Sequence, residues 1–209
     1  LYMKITKIKE DITPEIANSI KNSIAIDTEA TGLQIPERDK LSLIQICDEN
    51  ENVFIIQPNK SNYKAPNLIS ILENDSILKI GHFLRFDKNA LEFFLKCKMK
   101  NIFDTKIASK IVRTYTDAHG LKNLVQEFCN KSIDKRQGSS DWNKDIDELS
   151  NKQLEYAAND VIYLHKIKKE LEKMLVREKR LDVFQKCLHF LDTRVELDQK
   201  GFKEDIFEH

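Results

Sequence analysis

Charge of one sign is missing from this chain: lysine plus arginine and aspartate plus glutamate each number 34 among 209 residues, so the formal net charge is zero. Without an overall basic field the protein is not built to recruit a long polyanion. A nucleic-acid ligand would have to be held by local contacts, and a short one suits better than a long one. Long apolar runs are missing too. None approaches the roughly 18 residues of a membrane span, and the N-terminus lacks the unbroken apolar core of a signal peptide, so no membrane partner and a cytoplasmic location are expected. The four cysteines, Cys47, Cys97, Cys129 and Cys187, contain no Cys-x-x-Cys pair. That spacing excludes a zinc ribbon and a dithiol redox motif, and fits a reducing interior. Repeats and low-complexity tracts are absent, and the length suits one hydrophobic core, so a single domain over 1–209 is expected. Leu1 and Tyr2 read as residues ahead of a native start at Met3.

What is present alternates strand and helix patterns. Ser23 to Asp27 is apolar and strand-like, and Thr31-Gly32 follows as a turn. Leu41 to Cys47 alternates apolar and polar residues, Val53 to Ile56 is a short β-rich run, and the three segments read as an antiparallel meander. Leu68 to Leu72 has helical spacing, Ile77 to Ile80 is a fourth strand stopped by Gly81, and Phe86 to Leu95 returns to helical spacing. Asn101 to Phe103 is a brief fifth strand before a helix over Thr105 to Val112. Helices are then expected over Leu121 to Phe128, Lys152 to about Val176 and Leu181 to Leu197. A meander followed by strands alternating with helices predicts an α/β fold, with a mixed five-stranded sheet flanked by helices. The stretch Ile133 to Glu148 is polar and holds the only tryptophan, Trp142.

The acidic residues are the first candidates for chemistry. Asp27 and Glu29 lie two apart at the end of an apolar strand, so both point to one face. Their mutual repulsion invites a divalent cation with oxygen ligands, although a solvated strand end would look the same. Asp87, near the first turn of a helix, reads alone as a dipole partner or cap. Tyr156 and Asp160 are four apart on one helix face, beside Ala157 and Ala158. Among Leu154, Val161 and Leu164 such a polar pair needs partners or a metal to offset its burial.

These segments, "IAIDTEATGL", "KIGHFLRFDKNAL" and "QLEYAANDVIYLHKI", resemble the three ordered motifs of the DEDD exonuclease superfamily, in the branch whose third motif is Tyr-x-x-x-Asp. "FDTKIASKI", "HGLKNLVQEF" and "DKRQGSSDW" resemble ribonuclease D. "RTYTDAHGLK" and "GFKEDIFEH" are similar to the short, single-domain ribonuclease D-like enzymes of alphaproteobacteria, the nano-RNase C type. The resemblance implies an RNase H-like exonuclease fold without a helical HRDC domain. It also implies 3'→5' hydrolysis of single-stranded RNA, or of dinucleotides and other very short oligonucleotides, to nucleoside 5'-monophosphates. A ring-shaped homo-octamer is implied as well, and the helix and tail over about 178–209 are a candidate contact for it.

The same resemblance implies two divalent cations, Mg²⁺ or Mn²⁺, held by Asp27, Glu29, Asp87 and Asp160. Asp27 would bridge both, Glu29 and Asp160 would complete the water-activating site, and Asp87 would hold the second ion partly through water. The ions would lie about 3.5–4 Å apart, as in other two-metal sites. Tyr156 would orient the attacking water. Leu33 resembles a wedge between the terminal bases, His82 and Phe83 are expected at the 3' nucleotide, and Thr28 is a further candidate substrate contact. Lys135, Arg136, Gln137, Ser139 and Ser140 offer donors to a phosphate, and Trp142 could shape that loop. His119, His165 and His189 share no ligand-like spacing and are assigned no chemistry. Two further readings stay open from the sequence: DNA as the main substrate, and a silent nucleic-acid-binding module, whose signature would be a lost carboxylate.

Overall fold

The computed structural model describes residues 4–35, 37–133 and 140–209. The chain runs β1 (Lys4–Lys9), α1 (Pro14–Ser19), β2 (Ser23–Ala30), β3 (Leu41–Cys47), β4 (Asn52–Gln57), α2 (Pro66–Leu72), β5 (Leu78–Gly81), α3 (Leu84–Leu95), β6 (Ile102–Asp104) and α4 (Thr105–Val112). It continues with α5 (Leu121–Leu124), α6 (Asn151–Ile162), α7 (Leu164–Arg177) and α8 (Leu181–Gln199). The sheet order is β1-β4-β3-β2-β5-β6. Strands β2, β3 and β4 form the antiparallel meander, while β5 and β6 extend it in parallel from β2.

The sheet therefore has six strands where five were expected. The extra one, β1, pairs in parallel with β4 at the edge, and its residues are only partly buried. Lys4, Lys7 and Lys9 suit an exposed edge, where charge discourages pairing with another chain, but they hide the strand from a hydrophobicity pattern. Two further expectations need correction. The long helix over Lys152 to Val176 is broken at Tyr163 into α6 and α7, although no glycine or proline marks the break. The helix over Leu121 to Phe128 is one α-turn followed by a π-helical turn, Val125–Cys129.

Period-two alternation sends neighbouring strand residues to opposite cores. Ala25, Leu43, Cys47, Val53, Ile55 and Ile80 pack on one face with residues of α4, α6 and α7. Ile24, Ile26, Ile44, Ile46 and Ile56 pack on the other with residues of α2 and α3. Helix α8 joins both clusters, through Phe184 and Leu188 on one side and Leu191 and Val195 on the other. A bidentate pair ties it to α3, with Arg85 Nε and Nη2 each donating to Asp198 at 2.8 Å. Both faces of β2 are thus covered, and its Asp27–Glu29 end comes between α6 and α3.

Candidate active site

Strand β2 is buried through Ile26 and becomes partly exposed at Asp27 and Glu29. Helix α6 crosses the same face, opened by a capping box in which the Ser150 hydroxyl accepts from Gln153 N–H and the Gln153 side chain answers the Ser150 backbone. That start sets the rotation of the helix, which turns Tyr156 and Asp160 towards β2. Oxygens of Asp27, Glu29 and Asp160 all lie within 4.8 Å of one another. Three carboxylates at that spacing form a hard, anionic donor set, which fits Mg²⁺ or Mn²⁺ and not a soft, thiolate-preferring ion.

Tyr156 completes this cluster. Burial raises its pKa far above the ordinary phenol range, and the charges of Asp160, Glu29 and Asp27 add to the effect, as does its hydrogen bond to Asp160. In the metal-free protein the phenol therefore stays protonated and can donate a hydrogen bond, not remove a proton. Its ring packs on Trp142, with centroids 5.9 Å apart. Trp142 is only 3% exposed, so this side chain, proposed from the sequence among the substrate contacts, supports Tyr156 and offers no open face to a base. Beside Asp27, directly across the ladder, sits Gln45. It is fully buried, and its amide finds no hydrogen-bond partner among the described residues. Nothing in the sequence distinguished it from any other strand residue.

The fourth carboxylate is placed differently. Asp87, in the first turn of α3, is 3% exposed and lies outside the group of three. Thr28 donates its hydroxyl to Asp87 Oδ1 at 2.6 Å. Burial pushes the Asp87 carboxyl up to about 7, against the lowering effects of the Thr28 hydroxyl and of the Asp87 and Thr28 N–H groups. The Thr28 hydroxyl that the sequence offered to a substrate is thus engaged by this carboxyl.

The expected substrate contacts gather partly around one depression of about 440 Å³, lined by Leu33, Phe83, Arg85 and Phe86. Leu33 is 85% exposed and Phe83 46%. Leu33 stands on a loop pinned by the buried Asp39, whose Oδ2 accepts Gln34 N–H at 2.8 Å. At Gly32 a Cβ would meet that same Oδ2 at 2.4 Å, so a larger residue there must push the Asp39 carboxylate off the loop it pins. Gly32→Ala is accordingly expected to displace Leu33 and to raise KM for a diribonucleotide roughly three- to tenfold with little change in kcat, since uniform binding is what is lost. Unchanged kinetics would detach Leu33 from substrate. His82 Nδ1 lies 3.0 Å from Thr105 Oγ1, and Ser140 is half-buried. Lys135, Arg136, Gln137 and Ser139 lie outside the described residues.

A mixed sheet of this order, with carboxylates of a central strand facing a Tyr-x-x-x-Asp helix, defines a nuclease of the RNase H-like exonuclease fold. The chain belongs to the 3'-5' exonuclease family, in its ribonuclease D branch, and the family described as 3'-5' exonuclease matches residues 5–176. Within that branch it is similar over 99% of both chains to Brucella melitensis NrnC, with 45% identity and a TM-score of 0.92. NrnC from the same organism is also known bound to pGG and with bound Mg²⁺. Ribonuclease D of Haemophilus influenzae is 34% identical over 191 residues, covering 81% of this chain and 46% of that protein. Escherichia coli RNase D superimposes with a TM-score of 0.72 at 26% identity, over 87% of this chain and 47% of the other. The chain thus spans less than half the length of these two ribonucleases. No helix among the described residues is long and apolar enough to cross a membrane.

Proposed function

We propose that the protein is a 3'→5' exoribonuclease acting on very short single-stranded oligoribonucleotides, down to dinucleotides, and releasing nucleoside 5'-monophosphates. The observation that carries this reading is the convergence of Asp27, Glu29 and Asp160 within 4.8 Å of one another, next to Tyr156. Likeness to NrnC over the full length of both chains supports the short substrate, because that protein is known with pGG bound. Zero net charge agrees with a ligand gripped locally.

Bound divalent ions supply Lewis-acid stabilisation of the attacking and leaving oxygens. The chain's own residues do the rest. Asp27, Glu29 and Asp160 would hold one ion, and Asp87, once it had given up its proton, would help to hold a second. Tyr156 orients the attacking water through its hydroxyl. Leu33 and Phe83 bracket the terminal bases, while His82 and Ser140 provide polar contacts. Tyr156→Phe is expected to lower kcat about 10²-fold or more and to leave KM within about threefold, the pattern of a contact to the nucleophile and not to the ligand. Equal kcat in the two proteins would make Tyr156 a packing residue.

A homo-oligomer, an octamer on the NrnC-type pattern, is part of the same reading. Phe190 of α8 meets Phe207 of the tail with ring centroids 5.5 Å apart, and Phe202, Ile206 and Phe207 are exposed. Sedimentation measures the assembly directly, and a monomer would remove this part. The decisive experiment for the activity is a time course on 5'-labelled RNA and DNA of two to twenty nucleotides, with Mn²⁺ or with EDTA. Stepwise loss from the 3' end of RNA, fastest on the shortest substrates and abolished by EDTA, is expected. Cleavage in EDTA, internal cuts, or faster hydrolysis of DNA would overturn it.

A further inference from the structure

Three consecutive residues at the junction of β6 and α4 hold the turn that carries His82 and Phe83. Asp104, 1% exposed, accepts four backbone N–H groups. Its Oδ2 takes Leu84 N–H at 2.7 Å, and its Oδ1 takes those of Phe83 at 3.4 Å, Lys106 at 2.8 Å and Ile107 at 3.0 Å. One buried carboxylate therefore caps the first turns of both α3 and α4. Next, the fully buried Thr105 donates its hydroxyl to Gly81 O at 3.0 Å and lies 3.0 Å from His82 Nδ1. Lys106 follows, its ammonium 4.4 Å from the centre of the Phe83 ring.

The Thr105 contact has a chemical consequence. A hydroxyl carries one hydrogen, and the Gly81 carbonyl can only accept, so that hydrogen points to Gly81. Thr105 Oγ1 must then accept from His82, which places a ring hydrogen on Nδ1 and fixes the ring's orientation. Phe83 adds a second sign of constraint: it is left-handed, with φ 70° and ψ 50°, a conformation that a bulky residue keeps only where its surroundings impose it.

We propose that Asp104, Thr105 and Lys106 form a positioning element for the terminal nucleotide. Asp104 fixes the backbone of the turn, Thr105 fixes the orientation of His82 through Nδ1, and Lys106 holds the Phe83 ring. His82 and Phe83 are then held side by side towards the terminal nucleotide, and Phe83 presents a ring face suited to a base. The inference rests on the reading that His82 and Phe83 touch the nucleotide, and its test separates the two.

Thr105→Val is nearly isosteric and Thr105→Ser keeps the hydroxyl. On a diribonucleotide with Mn²⁺, Thr105→Val is expected to raise KM five- to tenfold with kcat within twofold, and Thr105→Ser to restore KM to within twofold. The effect of Thr105→Val should disappear in a His82→Ala background, because a residue acting through His82 has nothing left to position. Lys106→Gln lies at a partly exposed site, spares the core if Thr105→Val fails to fold, and should raise KM two- to threefold unless Phe83 is already Ala. If His82→Ala raises KM while neither Thr105→Val nor Lys106→Gln does, or if the effects simply multiply, the positioning role is wrong and the nucleotide contact stands. If His82→Ala and Phe83→Ala both leave KM unchanged, the contact and the positioning role fall together.

Discussion

Asp27→Asn is expected to abolish divalent-dependent hydrolysis, lowering kcat by at least about 10³-fold, while the protein keeps its fold. Magnitudes of that order accompany the loss of a single electrostatic stabiliser in other active sites, and this side chain is assigned contacts to both ions. Asn conserves the shape, so packing around the end of β2 is unaffected. Asp27, Glu29 and Asp160 crowd together, and removing one charge also relieves repulsion within the metal-free cluster. The variant should therefore melt no lower than the parent without metal, and Mg²⁺ should no longer raise its melting temperature. Retained turnover would remove Asp27 from the mechanism.

Asp87→Asn is expected to move stability and activity in opposite directions. Burial holds the Asp87 carboxyl near 7, whereas an unfolded chain ionises it near its ordinary value of 3.8. Below that ordinary value both states are protonated and the group costs nothing. As pH rises from there to about 7 the unfolded state loses its proton first, so folding stability falls, and above 7 the full cost remains. The cost is therefore present in full at pH 8. The metal-free Asn variant should accordingly melt several degrees above the parent at pH 8. The gain should shrink towards pH 5, and Mg²⁺ should stabilise the variant less than the parent, because only the site of Asp27, Glu29 and Asp160 is left whole. Calorimetry across pH with and without Mg²⁺ checks each part. A variant less stable at pH 8 would show that the Thr28 bond, and not the buried charge, dominates at this position.

Much of the site was legible in the sequence because its geometry is local. Two residues apart on a strand and four apart on a helix are spacings that fix a common face, and Asp27 with Glu29, and Tyr156 with Asp160, obey them. Strand β3 and helix α4 run as their alternation and their amphipathic spacing predict. What was not legible depends on what a residue meets in space. The burial of Trp142 follows from its packing on Tyr156, although its neighbours are Ser, Asp, Asn and Lys. The Asp87 carboxyl is turned to Thr28 by a contact across 59 positions, which no periodicity encodes. Asp104 and Thr105 lay within a segment already noted for its resemblance to ribonuclease D, but nothing there indicated that their side chains reach back to Gly81 through Leu84.

The cluster draws Asp27 and Glu29 from the second strand of the sheet and Tyr156 and Asp160 from the sixth helix, with most of the polypeptide in between. No fragment that ends before α6 can assemble a catalytic centre, and closing so long a stretch of chain must precede any gain from the metal. During synthesis the proposed site therefore cannot assemble until α6 has left the ribosome. Any hydrolytic capacity of the nascent chain would thus arise late, after the fold has brought its distant parts together.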